Sequence, residues 1–216
     1  MKIEIKSSWD EITWREYEQI EQILNADIPS DYKTVHLVSI LIGKPVEFVE
    51  SLPVTQFAKL TPYLDFLYTE SETHYHKFEY TVNGREYRFV GKIDEITTAQ
   101  YIDYRTYTQA EVKDVIDLMS VFMIPKGHEY NDGYDMEQVK SDIGDMCWLD
   151  IRACAFFIRL WLAAFIVIMK SSLVKSMKKT KTDRKRIKEL EESLNNTAYY
   201  LLSAEYANLP SLHSIQ

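Results

Sequence analysis

The fold is decided by one apolar stretch, Cys147-Trp-Leu-Asp-Ile-Arg-Ala-Cys-Ala-Phe-Phe-Ile-Arg-Leu-Trp-Leu-Ala-Ala-Phe-Ile-Val-Ile-Met169. It contains two of the four tryptophans, and it has no polar side chain from Leu160 to Met169. Because burial stabilises apolar surface by roughly 25 cal/mol per Å², such a run must be covered. A membrane-spanning helix needs about 20 mostly apolar residues, whereas Asp150, Arg152 and Arg159 leave a shorter run here. The stretch therefore predicts a buried core helix.

The composition fits a helical protein with a sizeable core. Of the 216 residues, 46% are hydrophobic and 27% are charged, which suits one large domain or two small ones in close contact. Six glycines and six prolines indicate few loops. Cys147 and Cys154 lie seven positions apart on the same predicted helix, too far along its axis for a disulfide. Free thiols are typical of a reducing compartment.

The charge is concentrated in one segment. Between Lys170 and Lys188 there are nine basic residues and one acidic residue, so this segment carries +8 and the remainder of a chain of net charge −8 carries −16. Such asymmetry indicates either an anionic partner or a solvated helix surface that faces acidic parts of the same chain. The second interpretation is favoured, because no aromatic residues interleave the run as in a base-stacking groove. The candidate anion or nucleic-acid contacts are Lys178, Lys179, Lys181, Arg184, Lys185 and Arg186.

Capping signals predict where the helices begin and end. A threonine followed three residues later by Glu or Gln can form a capping box, and those that begin at Thr13, Thr97 and Thr108 are predicted to open helices. Ser30 and Asp135 are predicted as further N-caps. The opening residues 1–6 alternate charged and apolar side chains, which predicts an edge strand rather than a signal peptide. The predicted helices span residues 14–25, 30–42, 46–51, 54–60, 98–107, 109–123, 135–143 and 147–169.

One β-hairpin is predicted between Phe78 and Phe89. Asn83-Gly84 supplies the two residues of positive φ that a type I′ turn requires. A two-residue loop places Tyr80 opposite Tyr87 and Phe78 opposite Phe89 on one face, with Glu79 opposite Arg88 on the other.

An internal repeat is suggested by two similar stretches, Asp10-Glu-Ile-Thr-Trp-Arg-Glu-Tyr17 and Asp94-Glu-Ile-Thr-Thr-Ala-Gln-Tyr101. Downstream, Leu37-Val-Ser-Ile40 resembles Leu118-Met-Ser-Val121, and 47–51 more faintly resembles 137–141. The matching order indicates duplication of a unit of one strand and several helices, with chance or shared helix-start chemistry as the alternative.

The predicted fold class is therefore mostly α, of α+β type. We expect a multi-helix bundle around the buried apolar helix, with a small antiparallel β-hairpin or sheet. Residues 1–72 form the first repeat, residues 73–170 form the hairpin and the second repeat, and residues 171–216 form a basic and then amphipathic C-terminal helix. Apolar residues at spacings of three and four in that helix suit packing on the chain's own core or on another copy; they are Ile187, Leu190, Leu194, Thr197, Leu201 and Ala204.

Side chains with catalytic or metal-binding chemistry are few. His74 and His76 would share one face of a strand, but no further ligand is spaced nearby for zinc, so a surface pair is favoured. The loop 131–135 is rich in oxygen ligands but lacks the closing Glu of a calcium loop, which favours an Asx turn. Cys147 and Cys154 on an apolar helix are typical of inert buried thiols.

The remaining charged candidates have ordinary explanations. Asp94 and Asp103 lie beside helix starts, where carboxylates commonly act as caps. Arg152 and Arg159 are predicted to be buried and to face an acidic partner or a protein interface. We therefore predict no catalytic residue, no cofactor and no metal. A metal-dependent enzyme that uses His74 and His76 remains a less favoured alternative, to be set beside the non-enzymatic functions given below.

Several fold-forming motifs lie between about residues 9 and 170. They are Val35-His-Leu-Val-Ser-Ile-Leu-Ile-Gly43, Glu50-Ser-Leu-Pro53, Leu64-Asp-Phe-Leu67, Tyr80-Thr-Val-Asn-Gly84, Ile93-Asp-Glu-Ile-Thr97 with Gln100-Tyr-Ile-Asp103, and Ile124-Pro-Lys-Gly-His-Glu-Tyr-Asn-Asp-Gly-Tyr-Asp135. Taken together, these motifs resemble a loose group of tailed-bacteriophage proteins, which includes tail-assembly-chaperone-like proteins and virion components of crAss-like phages.

This resemblance implies a small non-enzymatic protein of the phage virion, assembled in the bacterial cytoplasm, and it transfers no catalytic residue. The implied function is a virion-associated protein, such as internal cargo packaged in head or tail and ejected with the genome. The alternatives are a tail-assembly chaperone that binds the tape-measure protein, or a structural component of a tail or portal ring. The implied partners are other virion proteins of tail, portal or capsid, with self-association through the C-terminal helix and weak nucleic-acid contact as additions, and no membrane.

Overall fold

Eight α-helices and a three-stranded antiparallel sheet make up the described part of the chain, which in this computed structural model comprises residues 3–69, 71, 74–109, 114–179, 188, 189 and 192. The predicted α+β class is confirmed. The α-helices are α1 (Trp14–Asn25), α2 (Ser30–Leu41), α3 (Val46–Glu50), α4 (Val54–Phe57), α5 (Thr98–Gln109), α6 (Val115–Ser120), α7 (Met136–Gly144) and α8 (Trp148–Lys179). Three 3-10 helices span Trp9–Glu11, Thr61–Tyr68 and Ile93–Glu95.

The first third of α8 lies in the core, as the apolar stretch predicts. Ile151, Cys154 and Ile158 are fully buried. The Trp148 ring stacks on the Tyr17 ring at a centroid distance of 4.3 Å. Aromatic stacking of this kind adds to the free energy gained from burial alone. The N-terminal part of α8 is therefore the core helix around which α1 and α6 pack.

The prediction that the whole stretch is covered is wrong at two described positions on α8. Phe156 is 46% exposed and Leu160 is 47% exposed. The physical reason is the side of the helix on which they lie. At 3.6 residues per turn, Phe156 and Leu160 share one side of α8, and Phe156 lies on the side opposite the buried Cys154 and Ile158. The main contacts of α8 with other described elements are to α1, α6 and the 3-10 helix at Trp9–Glu11. The side chains of 161–170 lie outside the described part.

Two of the three capping boxes are confirmed. Thr13 accepts a hydrogen bond from the backbone N–H of Glu16, whose carboxylate in turn accepts from the N–H of Thr13. Thr97 and Gln100 make the same reciprocal pair at the start of α5. Asp135 also caps α7 as predicted.

The capping box at Thr108 is wrong, and the predicted helix 109–123 is present only as the shorter α6, Val115–Ser120. Thr108 lies inside α5, where its hydroxyl donates to the backbone oxygen of Tyr104 at 2.9 Å. An N-cap residue has a non-helical, usually extended backbone, whereas Thr108 lies inside a helix, so it does not cap a new one. The N-cap of α6 is Asp114 instead, which accepts from the N–H of Ile116 at 2.7 Å. Similarly, Pro29 rather than Ser30 precedes α2 as its N-cap.

The hairpin forms with the predicted register. Strand β1 (Glu79–Val82) pairs with β2 (Arg85–Phe89), Tyr80 lies opposite Tyr87, and Glu79 lies opposite Arg88. Asn83 and Gly84 have φ values of 50° and 75°, as a type I′ turn requires.

A third strand, β3 (Met123–Pro125), was not predicted. It pairs antiparallel with β2 in the sheet order β1-β2-β3. Pro125 fits an outer strand, because a proline there need not donate to a neighbour. The predicted opening strand is wrong, since residues 3–7 form no strand in the described chain.

Buried residues on both sides of the predicted boundary between 72 and 73 belong to one hydrophobic core. Leu37 and Leu67 from the first segment and Phe89 and Met119 from the second are all fully buried in it. Residues 171–216 lie largely outside the described part.

Candidate functional site

The predicted anion-binding residues are only partly within the described chain. Lys178 and Lys179 are the last two residues of α8, and their side chains are not among those described. The other four candidates, Lys181, Arg184, Lys185 and Arg186, lie outside the described residues. Nucleic-acid contact by the basic run therefore stays a prediction.

The two histidines make separate contacts. The Nε2 atom of His74 lies 2.7 Å from Oδ1 of Asp150. His76 instead packs against the Phe157 ring at 3.9 Å, and its Nε2 atom is buried without a hydrogen-bond partner. Burial lowers the pKa of His76. Both rings are partly buried, so they are not the surface pair that the sequence predicted.

The two cysteines are free, and both are poor nucleophiles. Cys154 is buried, and burial raises the pKa of its thiol to about 12. Its Sγ atom lies 3.1 Å from the hydroxyl of Tyr80, which also accepts a hydrogen bond from the N–H of Lys77. Cys147 is half-buried, and burial raises its pKa too. Within the described residues, no group of three His, Cys, Asp or Glu side chains is placed to hold a metal ion.

The prediction that Arg152 is buried is wrong. Its side chain is exposed, its guanidinium lies 5.4 Å from the centre of the Trp148 ring, and it donates to the hydroxyl of Ser71 at 2.5 Å. Arginine often covers an aromatic ring in this way while its charge stays in water. The side chain of Arg159 is not among those described.

The acidic candidates have structural roles. Asp135 accepts from the backbone N–H groups of Glu137 and Gln138 at the start of α7. Asp103 lies within α5 rather than at a cap, and it accepts from the hydroxyl of Tyr130 at 2.7 Å.

A buried carboxylate that sequence reasoning missed joins the hairpin to α7. Asp142 is 1% exposed and accepts hydrogen bonds from Tyr87, Arg85, Asn83 and Gln138 at 2.5 to 3.1 Å. Burial alone would raise the pKa of Asp142, but these donors outweigh it and hold the pKa below its usual value. No local pattern marks this residue, because three of its donors lie more than 50 positions away.

A cleft of about 290 Å³, here called the β1 cleft, separates β1 from the start of α8. One wall is the continuous run 80–83, and the other consists of 145–147 and Asp150. Alternate residues of a strand point to opposite faces, so a wall of four consecutive residues means that the cleft borders the strand's edge.

Two exposed apolar residues of α8 form a second candidate, here called the α8 surface: Phe156 and Leu160. Phe156 and Leu160 lie one helical turn apart on α8. Phe78 is 52% exposed and reaches α8 beside Gly91, where the Cβ atom of any larger residue would meet both Phe78 and Phe157 within 3.2 Å. Large exposed apolar side chains that lie together commonly mark a protein interface.

Among the residues that the structure describes, no helix combines the length and the apolar content needed to cross a membrane.

In comparisons with known proteins, no protein-family model, no curated protein and no solved structure matches the chain.

Proposed function

We propose that the chain is a non-enzymatic bacteriophage virion-associated protein, an internal cargo protein that is packaged in head or tail and ejected with the genome. The observation that carries this proposal is the resemblance of its motifs to proteins of tailed phages over about residues 9–170. Those motifs fall on elements that build the fold: 35–43 lies on α2 and its end, 80–84 on the hairpin turn, and 124–135 on β3 and the loop before α7.

The state of the reactive side chains supports a non-enzymatic role. The pKa of both thiols is raised by burial, so neither is a thiolate at neutral pH. His74 is engaged by Asp150, and Asp142 is saturated by donors that hold secondary structure together.

Mass spectrometry of gradient-purified particles tests this proposal. We expect peptides of the chain in particles of the phage that encodes it, at a constant ratio to the major capsid protein across the particle peak. A cargo protein is expected to leave the particle with the DNA, so emptied particles should lack it, whereas a tail or portal ring component would stay behind. Absence from particles together with abundance in the infected-cell lysate would overturn the proposal.

A tail-assembly chaperone that binds the tape-measure protein is the second candidate, and the α8 surface favours it. Exposed apolar side chains on a helix are suited to shielding apolar helices of a long tail protein before assembly. The test is co-purification with the tape-measure protein from lysates that lack mature particles. Phe156→Glu with Leu160→Glu should abolish co-purification. Val54→Glu, at an exposed position on α4, is the matched control that should leave it intact.

A further inference from the structure

Strand β1 is an outer strand of the described sheet, and some of its backbone groups point away from β2. The N–H of Phe89 donates to the oxygen of Phe78 at 2.9 Å, so these two residues are a hydrogen-bonded pair. Hydrogen-bonded pairs alternate along an antiparallel ladder. Tyr80 therefore bonds to β2, and the N–H and C=O groups of Glu79 and Thr81 point outward.

The bonds on the other side of β2 confirm this alternation. Lys126 donates to the oxygen of Glu86 at 2.9 Å, and Val90 donates to the oxygen of Phe122 at 2.8 Å, so the even-numbered residues of β2 face β3. The odd-numbered ones face β1. In the described chain the outward N–H and C=O of Thr81 have no hydrogen-bond partner, and Thr81 lines the β1 cleft.

The opposite wall of the β1 cleft presents a backbone N–H, that of Cys147, which has no hydrogen-bond partner among the described residues. Cys147 forms an antiparallel bridge with Thr13, and the bonds beside it run from Trp14 N–H to Met146 oxygen and from Trp148 N–H to Ile12 oxygen, both at 2.9 Å. In this pattern Thr13 and Cys147 are a non-hydrogen-bonded pair, so neither backbone donates a hydrogen bond to the other. The N–H of Cys147 therefore points away from Thr13, on the side where Cys147 lines the cleft.

The side chains of the β1 cleft favour a cation. Its described lining includes the carboxylates of Asp145 and Asp150 and no basic side chain. Asp145 is already paired with Arg15 at the surface. Asp150 is only 13% exposed; its Oδ1 atom contacts His74 and Lys77, and its Oδ2 atom accepts no hydrogen bond from the described residues. A partly desolvated carboxylate with one free oxygen suits an arginine or lysine side chain.

We propose that the β1 cleft binds an extended, positively charged segment of a partner protein, which adds a fourth strand to the edge of the sheet. Main-chain hydrogen bonds to Thr81 would hold the segment, and Asp150 would select a basic side chain. A volume of about 290 Å³ accommodates a short stretch of such a segment. The lysines of the basic run that lie on α8, from Lys170 to Lys179, are more than about 30 Å along the helix from Trp148 and do not reach the cleft. This site goes beyond the proposed role in the virion.

Fluorescence anisotropy with labelled, capped pentapeptides tests the site on the full chain. The probe Val-Arg-Val-Arg-Val should bind, and Val-Glu-Val-Glu-Val should bind about tenfold more weakly, since one charge pair is worth about 1.4 kcal/mol at such a site. Asp150→Asn should reduce this discrimination. Thr81→Pro removes only the outward N–H, and a proline is tolerated on an outer strand, so we expect about fivefold weaker binding of the arginine probe. Thr81→Val keeps the N–H and should bind normally.

Two controls keep the result decisive. If Thr81→Pro lowers the melting temperature, methylation of the backbone nitrogens of the probe removes the same hydrogen bonds from the ligand side and should weaken binding to the unaltered chain. Failure of the arginine probe to bind, or equal binding by the two Thr81 variants, would overturn the proposal. Concentration-dependent dimerisation that Thr81→Pro abolishes would identify a second copy as the occupant and would overturn the assignment to a partner protein.

Discussion

Removal of the buried carboxylate of Asp142 should destabilise the fold more than the change of any exposed acid. Asp142→Ala leaves the hydroxyl of Tyr87 buried and without its acceptor. It also releases Arg85, which reaches the carboxylate at 2.8 Å, and Asn83 at the hairpin turn. The hairpin would thereby lose its polar connection to α7.

The size of the loss in the free energy of unfolding depends on which of the released donors can be hydrated by solvent. Breaking a buried charge interaction costs about 3–5 kcal/mol, because the remaining groups stay desolvated. The side chain of Arg85 is half-exposed and can be rehydrated, whereas the hydroxyl of Tyr87 cannot. We therefore expect the lower end, a loss of about 3 kcal/mol in the free energy of unfolding. At this chain length such a loss lowers the melting temperature by roughly 6–12 °C.

Urea unfolding followed by circular dichroism measures this loss. Asp132→Ala is the matched control, since Asp132 is exposed in a loop, and it should change stability by no more than about 0.5 kcal/mol. The double variant Tyr87→Phe with Asp142→Ala should be less destabilised than the sum of the single variants, because the stranded hydroxyl is gone. A loss below about 1 kcal/mol for Asp142→Ala, or strict additivity with Tyr87→Phe, would refute the reasoning.

Three further predictions concern titration, thiol reactivity and the basic run. The lowered pKa of Asp142 means that its stabilisation is complete above the unfolded-state value and is lost as the pH falls through the folded-state value, so Asp142→Asn should flatten stability in urea titrations below about pH 4. Cys154, with a pKa of about 12, should resist iodoacetamide in the folded protein, while half-buried Cys147 reacts first; mass spectrometry of the alkylated chain would show the opposite order if this is wrong. Lys185→Glu with Arg186→Glu should weaken low-affinity DNA binding and reduce its salt dependence in filter-binding assays, whereas unchanged binding would leave the basic run as a solvated surface.

The features that sequence predicted correctly are encoded within a few residues. The capping boxes at Thr13 and Thr97 need only a residue pair three positions apart. The hairpin needs only Asn83-Gly84 and alternating side chains, and these fixed the register. Such signals survive folding because the local hydrogen bonds are the same in isolation and in the protein.

The features that were not predicted from the sequence depend on contacts between residues far apart in the chain. Strand β3 is three residues long, and only pairing with β2 makes it a strand. In the sequence Asp142 resembles any acidic residue on a helix, because the hairpin residues that donate hydrogen bonds to it lie more than 50 positions away. Phe156 lies in an apolar run that predicts burial, and it is exposed because it lies on the side of α8 opposite the buried Cys154 and Ile158.

The repeat noticed in the sequence has a counterpart in local geometry. Thr13 and Thr97 each follow a 3-10 helix and cap the next α-helix. In the helix that then packs on the capped one, buried Ser39 and Ser120 each donate to the carbonyl three residues earlier, at 2.8 and 2.7 Å. A short helix, α3 or α7, packs on each of these.

The shared unit therefore consists of a 3-10 turn, a capped helix, a second helix and a short third helix, without the strand that the sequence suggested. Among the residues whose structure is described, a strand precedes the second unit only. Within the described residues 3–69, the sheet and α8 have no counterpart, and these two elements carry both the β1 cleft and the α8 surface. Both proposed interaction sites therefore lie on the sheet and α8 rather than on the two helical units.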